Sequence, residues 1–137
     1  MKLNRMYVVL SAELSTLTAE QNAERSGKLR KYLGDTCLDF DVAEGCYKGV
    51  KETAFVVQVK TFEVVPLLLE TAAEYGQESI LLVDSRDKAY LLFAEGTEII
   101  PLGKVQESTA EPASAIVSGY TKLGKRYYYT YDFDQEA

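Results

Sequence analysis

Apolar and polar residues alternate along the first third of the chain in patterns that predict a strand followed by a helix. Residues 6–12, "MYVVLSA", are rich in β-branched and aromatic side chains and predict a strand. Thr18 and Gln21 have the spacing of a capping box, which marks the start of a helix. Apolar residues then recur at helical spacing until Gly34, so the first helix is predicted over about 19–33.

The middle of the chain predicts a hairpin, a second helix and two further strands. "CLDFDVA" at 37–43 alternates like a half-buried strand, and it leads through a loop at 45–51 into the apolar strand "ETAFVVQV". We expect these two strands to pair. A second helix is predicted from about Val65 to Tyr75, because Pro66 is acceptable only in a first turn. "SILLVD" and "AYLLFAEG" follow as strands joined by a polar turn.

These segments together predict an α+β protein. Their order is β-α-β-β-α-β with an added strand, which is typical of a ferredoxin-like sandwich, here with an added C-terminal β-hairpin or arm. The length of 137 residues and a hydrophobic content of 47% fit one domain, 1–137. We place its core at about 5–95 and a C-terminal β extension at about 97–137.

The C-terminal segment "KRYYYTYDFD" is predicted to be a strand with aromatic side chains on both faces. Exposing that much aromatic surface is unfavourable for a small domain. The rings either pack on a neighbouring subunit, which we favour and which predicts a homo-oligomer, or they close the core of the single chain. The residues concerned are Tyr127, Tyr128, Tyr129, Tyr131 and Phe133.

Composition narrows the possible chemistry and partners. Histidine is absent, which excludes catalytic triads that depend on it and most zinc or iron sites. The net charge of −6 has the wrong sign for a nucleic-acid-binding protein. No signal-peptide pattern and no apolar run of the about 20 residues that a membrane helix needs are found. We therefore expect a cytoplasmic protein with no nucleic acid or membrane partner, whose chemistry uses carboxylates, amides and phenols.

The stretch "EGCYKGVKETAFVVQV" places an acid and a phenol just before an apolar strand. Glu52 at the strand entrance, like Glu78 at the start of "ESILLVD", would by default be a solvated charge. Tyr47 lies between Gly45 and Gly49, which fits a loop that contacts a ligand as well as an ordinary turn. We expect the starts of these two strands to lie at opposite ends of the sheet or to meet across a subunit interface, where a shared pocket can form.

Asn22 begins the inward stripe of the first helix, and a buried amide must find hydrogen-bond partners. Those partners are either the backbone at 11–14 or the polar end of a ligand above that loop. No Gly-rich phosphate loop, paired-cysteine motif or acidic metal cluster is recognisable, so we expect neither a metal nor a cofactor.

Three segments, "YVVLSAELSTLTAEQNAER", "GCYKGVKE" and "GQESILLVD", together resemble the bacteriophage S-adenosylmethionine hydrolase family, whose activity has been reassigned to a lyase. The resemblance runs from Tyr7 to about Glu95. It implies a ferredoxin-like homotrimer that holds its substrate between subunits and cleaves S-adenosylmethionine to 5′-methylthioadenosine and L-homoserine lactone. It also implies that the protein degrades the methyl donor of a host cell.

The resemblance assigns roles to six residues. A tyrosine and an essential glutamate of the family active site have counterparts here, as do a Gln-acid pair that begins a later strand and two polar residues of the first block. The predicted catalytic residues are Glu52 and Tyr47, and the predicted substrate-binding residues are Glu78, Gln77, Ser11 and Asn22.

The implied reaction suits a protein without histidine, because the substrate's own carboxylate attacks its γ-carbon and expels a neutral thioether. We expect Glu52 to bind the α-ammonium group, with Tyr47 nearby and Glu78 contributed by the adjacent subunit. Two other classes stay open: a non-catalytic trimeric ferredoxin-like protein that binds a nucleotide or nucleoside, and a protein that interacts with a host enzyme.

Overall fold

The computed structural model describes residues 5–36, 38–114 and 117–131, which contain two helices and nine strands. The nine strands form one sheet in the order β6-β5-β4-β1-β3-β2-β8-β9-β7, and every neighbouring pair is antiparallel. The elements in chain order are β1 (Tyr7–Leu10), α1 (Ala19–Asp35), β2 (Phe40–Tyr47), β3 (Val50–Gln58), α2 (Val64–Glu74), β4 (Ser79–Val83), β5 (Lys88–Phe93), β6 (Ile99–Lys104), β7 (Gln106–Ser108), β8 (Gly119–Leu123) and β9 (Arg126–Tyr129).

Both predicted helices are confirmed. The Thr18 hydroxyl accepts a hydrogen bond from the Gln21 backbone N–H at 3.1 Å, and the Gln21 side chain accepts one from the Thr18 N–H at 3.0 Å, so the capping box starts α1. Pro66 lies in the first turn of α2. Both helices pack on one face of the sheet, where Leu29 and Leu68 are fully buried. In the described part of the chain, neither helix is both long and apolar enough to cross a membrane.

The predicted hairpin of the second and third strands is also confirmed, but its loop is shorter than expected. β2 continues to Tyr47, which pairs with Val50 of β3, so the loop predicted at 45–51 is reduced to a two-residue turn. The turn residues Lys48 and Gly49 have φ angles of 50° and 82°. Positive φ at both positions matches the twist of a tight hairpin, and glycine adopts it without strain.

The two edges of the sheet are joined by a single residue, Val105. β6 forms one edge and ends at Lys104, whereas β7 forms the other edge and begins at Gln106. Two residues of extended chain span at most about 7 Å. The sheet must therefore curl until its edges nearly meet, which encloses the face opposite the helices.

The predicted ferredoxin-like β-α-β-β-α-β sandwich is wrong. The structure is a nine-stranded, nearly closed, barrel-like antiparallel sheet with two helices on its outside. The strands that the sequence reading missed carry weak local signals: β6 contains Pro101, and β7 lies in a segment whose composition predicts a loop. Of the two alternatives for the C-terminal segment, the hairpin is confirmed and the arm is not: β8 and β9 pair with each other and are inserted between β2 and β7.

The aromatic residues of β9 contribute to the enclosed face of this same chain. Tyr128 is only 5% exposed and packs in an apolar cluster that includes Tyr7, Val56 and Val83. The alternative in which these rings close the core of the single chain therefore holds for Tyr128. The predicted contribution of Phe133 and the predicted strand start at Cys37 fall outside the described residues.

Replacing Val105 by alanine is expected to lower the free energy of unfolding by about 2 kcal/mol, because the side chain is 6% exposed and its loss leaves a cavity in the enclosed cluster. Val50→Ala is the matched control, since Val50 is 55% exposed at the hairpin end, and it should change stability by less than about 0.5 kcal/mol. Urea unfolding followed by circular dichroism measures both values. Equal losses of stability in Val105→Ala and Val50→Ala would contradict the role of Val105 in the closure of the sheet.

Candidate active site

The curled sheet encloses a cavity of about 720 Å³ on the face opposite the helices. Side chains alternate between the two faces along each strand, so every second residue points into this space. Small-molecule sites commonly have volumes of about 300–1,000 Å³. The cavity is therefore large enough for a ligand of nucleoside size. Its apolar lining includes Val9, Ala54, Leu81, Val83, Ala89, Leu91, Phe93, Ile100, Leu102 and Val105.

Five predicted site residues meet at one end of the cavity, which we call the acidic rim. β3 and β4 both pair antiparallel with β1, so both strands start beside the end of β1. The expectation that these starts lie at opposite ends of the sheet is wrong, because both lie beside the end of β1 in a single chain. The alternative that they meet across a subunit interface stays a prediction. The acidic rim consists of Ser11, Tyr47, Glu52, Gln77 and Glu78.

The surroundings of Glu52 raise the pKa of its carboxyl group. Burial raises the pKa of its carboxyl group above the ordinary value of 4.5, the negative charge of Glu13 raises the pKa further, and hydrogen bonding to Ser11 acts in the opposite direction. Gly45 lies directly opposite Glu52 on β2, so no side chain of that strand covers the carboxylate. A half-buried carboxylate of this kind gains from binding a cationic ligand.

Glu13, which the sequence reading missed, fixes the parts of the rim to one another. Its Oε1 accepts the Thr53 backbone N–H at 3.2 Å, and its Oε2 accepts the Ser26 hydroxyl at 2.7 Å. Its backbone carbonyl accepts the Gln77 side-chain amide at 2.8 Å, and its own N–H donates to the Ser11 hydroxyl at 3.1 Å. One residue thus connects β3, α1 and the start of β4.

Asn22 is not brought to the cavity. Its Oδ1 accepts the Leu14 backbone N–H and its Nδ2 donates to the Leu14 carbonyl, both at 2.9 Å. Of the two alternatives for its partners, the backbone after β1 is therefore the one that the structure shows. Arg25 acts alongside it by donating to the carbonyls of Ala12, at 2.7 Å, and Tyr75. Both side chains hold the segment that carries Glu13 against α1.

Tyr47 lies at the mouth of the cavity with 60% of its surface exposed. Its partner on β8 is Gly119, another residue that the sequence reading missed. A Cβ atom on Gly119 would lie 2.7 Å from the Cys46 carbonyl oxygen and 3.1 Å from Cδ1 of Tyr47. A side chain at position 119 would therefore force a shift of β8 away from Cys46 or of the Tyr47 ring.

Carboxylates dominate the charge at this end of the cavity. Glu52 and Glu78 line it, and Glu13 lies directly behind. Lys51 is paired with Glu44 at 3.8 Å. Among the described residues, no group of three or more Cys, Asp and Glu side chains is arranged to hold a metal ion. The arrangement favours an organic cation whose remaining part is apolar.

An acidic rim joined to an apolar interior suits a small cationic molecule. The chain matches the model of the S-adenosylmethionine lyase family over residues 8–131, and it therefore belongs to that family. The resemblance drawn from the three sequence segments is confirmed. The family implies S-adenosylmethionine, a cationic nucleoside, as the small-molecule substrate. No curated protein matches the chain.

Replacing Glu13 by glutamine should lower the pKa of the Glu52 carboxyl group, because it removes the neighbouring negative charge. Ser26→Ala is the matched control: it removes a hydrogen bond to Glu13 but keeps the charge, so the pKa of Glu52 should stay nearly unchanged. NMR titration of the glutamate side-chain carboxyl carbons measures both, with Glu52→Gln to assign the signal. The same Glu52 titration in Glu13→Gln and in the unmodified chain would contradict the coupling.

Proposed function

We propose that this chain is a lyase that cleaves S-adenosylmethionine intramolecularly to 5′-methylthioadenosine and L-homoserine lactone. The observation that supports this most is the division of the cavity into an end that carries carboxylates and a mainly apolar remainder. S-Adenosylmethionine is divided in the same way, since a charged amino-acid group and a sulfonium are attached to a nucleoside that can be buried. Family membership supports the same substrate.

The reaction needs little from the protein beyond orientation and surroundings. The substrate carboxylate attacks the γ-carbon, a C–O bond forms as the C–S bond breaks, and the electron pair leaves with sulfur in a neutral thioether. No proton is transferred, so a chain without histidine can support it. The opposite charges of carboxylate and sulfonium both diminish in the transition state. Apolar surroundings such as Leu81, Leu91 and Leu102 therefore favour the transition state over the bound substrate.

Glu52 is assigned to the α-ammonium group of the substrate. A carboxylate placed against the sulfonium would stabilise the substrate more than the transition state, because the sulfonium charge disappears during the reaction. The ammonium group keeps its charge in the transition state, so a carboxylate beside it stabilises the substrate and the transition state equally and does not raise the barrier. It also fixes the direction of the neighbouring substrate carboxylate. Intramolecular positioning of this kind contributes up to ~7–11 kcal/mol.

The other rim residues complete this arrangement. Tyr47 at the mouth is assigned a hydrogen bond beside the α-ammonium group, and Glu78 is assigned as a second carboxylate for that group. Ser11 donates its hydroxyl to the Thr53 carbonyl at 2.8 Å, which supports the strand that carries Glu52. Glu78 lines the same cavity as Glu52 in one chain, so no adjacent subunit is needed to combine them. A homotrimer with sites between subunits stays a prediction.

Incubating the purified protein with S-adenosylmethionine and separating the products by chromatography tests the reaction. We expect 5′-methylthioadenosine and homoserine lactone in equal amounts, with free homoserine only later, as the lactone opens in water. Free homoserine at the earliest times would favour direct hydrolysis over cyclisation. Substrate that stays intact would contradict the lyase function and support a binding protein.

Glu52→Gln should lower kcat/KM by about 100-fold, because the α-ammonium group loses its charged partner and the substrate is misplaced. The same change should raise stability at neutral pH. The carboxyl pKa is about 4.5 when unfolded and higher when folded, so the folded state binds more protons, and native stability falls as pH rises through this interval. Glutamine does not ionise, so the Glu52→Gln protein does not lose this stability as the pH rises. Well below pH 4.5, where the carboxyl group is protonated in both states, the advantage should disappear.

Kinetic assays with thermal unfolding at neutral and acidic pH measure the two effects of this substitution together. Glu70→Gln provides the stability control, because Glu70 is an exposed acid on α2, outside the cavity lining, and should leave both quantities nearly unchanged. A Glu52→Gln protein with near-normal turnover would refute the assigned role of Glu52.

A further inference from the structure

We propose that Thr121 of β8 binds the sugar of the nucleoside half of the substrate, across a notch from Glu52. This proposal rests on the proposed function and adds a specificity-determining residue to it. None of the sequence patterns pointed to Thr121, because its position becomes informative only through the pairing of three strands.

The notch is formed by three residues that lie side by side in the sheet. Gly45 of β2 pairs with Glu52 of β3 on one side and with Thr121 of β8 on the other. Residues that are paired across antiparallel strands project from the same face of the sheet. The side chains of Glu52 and Thr121 therefore both point into the cavity, and Gly45 leaves an open floor between them.

The Thr121 hydroxyl is the polar group of this notch that has no hydrogen-bond partner among the described residues. The buried polar residues of the described chain all carry hydroxyl groups, and those of Ser11, Ser26 and Thr71 donate hydrogen bonds at 2.7–2.9 Å. Thr121 is 8% exposed, lines the cavity and forms no side-chain hydrogen bond with any other described residue. Among the described residues no fully buried side-chain oxygen or nitrogen lacks a partner, so the Thr121 hydroxyl is open to the cavity. A ligand in the cavity can supply the missing partner.

The spacing of the notch indicates which part of the ligand reaches Thr121. Neighbouring strands lie about 4.8 Å apart, so Glu52 and Thr121 are separated by about 10 Å of sheet. In S-adenosylmethionine the methionyl chain and sulfonium separate the ammonium group from the ribose hydroxyls by a comparable distance. With the ammonium on Glu52, a ribose hydroxyl falls at Thr121. Tyr128, the next residue in this row on β9, adds a buried aromatic wall.

Thr121→Val tests the proposal, because valine keeps the shape of threonine and removes the hydroxyl. The probe is 5′-methylthioadenosine, which contains the nucleoside but no ammonium group, and its Kd is measured by isothermal titration calorimetry. We expect the substitution to weaken binding about 10-fold, as the loss of one hydrogen bond does. Glu52→Gln should leave this Kd unchanged. Thr71→Val makes the same chemical change at an equally buried site on α2 and should also leave it unchanged.

Filling the floor of the notch provides a second test. A Cβ atom on Gly45 would lie 3.5 Å from Cβ of Ala54 and 3.6 Å from Cγ of Glu52, which is ordinary contact, so the fold should accept alanine. Gly45→Ala should raise KM for S-adenosylmethionine several-fold, because the added methyl group occupies space that the bound substrate needs. An unchanged KM would contradict the notch.

The possible outcomes separate this proposal from the proposed function. Unchanged affinity of Thr121→Val for 5′-methylthioadenosine, equal weakening by Thr71→Val, or no binding by the unmodified chain would each overturn the role of Thr121. Normal lyase turnover together with unchanged Thr121→Val affinity would retain the function and refute the sugar contact. Binding that depends on Thr121 in a chain that leaves S-adenosylmethionine intact would retain the contact and refute the function.

Discussion

The short connection through Val105 determines the shape of the candidate site. β6 and β7 occupy opposite edges of the sheet, yet one residue separates them along the chain, so the sheet has to curl. The helices cover its outer face, and the inner face curves around a cavity. Glu52 would otherwise be an exposed acid on a sheet. Partial burial makes the charged carboxylate less stable than in water, and a cation bound beside it restores that stability.

Local sequence signals predicted the elements whose causes are local. The Thr18 capping box, the position of Pro66 and the pairing of β2 with β3 all depend on neighbouring residues. The closure could not be predicted in this way, because β7 owes its strand structure to pairing with the distant β9 and not to its own pattern. Without those pairings, a β-α-β-β-α-β order predicts a ferredoxin-like sandwich.

Some residues of the candidate site could be found from the sequence, whereas others depend on how the strands are paired. Glu52 and Tyr47 were found through resemblance to a family, since an acid at a strand entrance is by itself unremarkable. Glu13, Gly119 and Thr121 carry no motif, and each matters only because of what lies opposite it on another strand or loop. Strand register is a property of the folded sheet. Residues of this kind become visible only when the pairing is known.

The carboxylate that is destabilised by its surroundings, Glu52, is also the one proposed to bind the substrate's ammonium group. Glu13 holds Glu52 in place through Thr53, and burial together with the charge of Glu13 makes ionisation of Glu52 less favourable than in water. A bound ammonium group relieves that cost without touching the reacting atoms. In the proposed arrangement those atoms lie above Gly45, where no side chain intrudes and no protein charge stabilises the carboxylate or the sulfonium. Binding energy from both ends of the substrate can then lower the barrier at its centre.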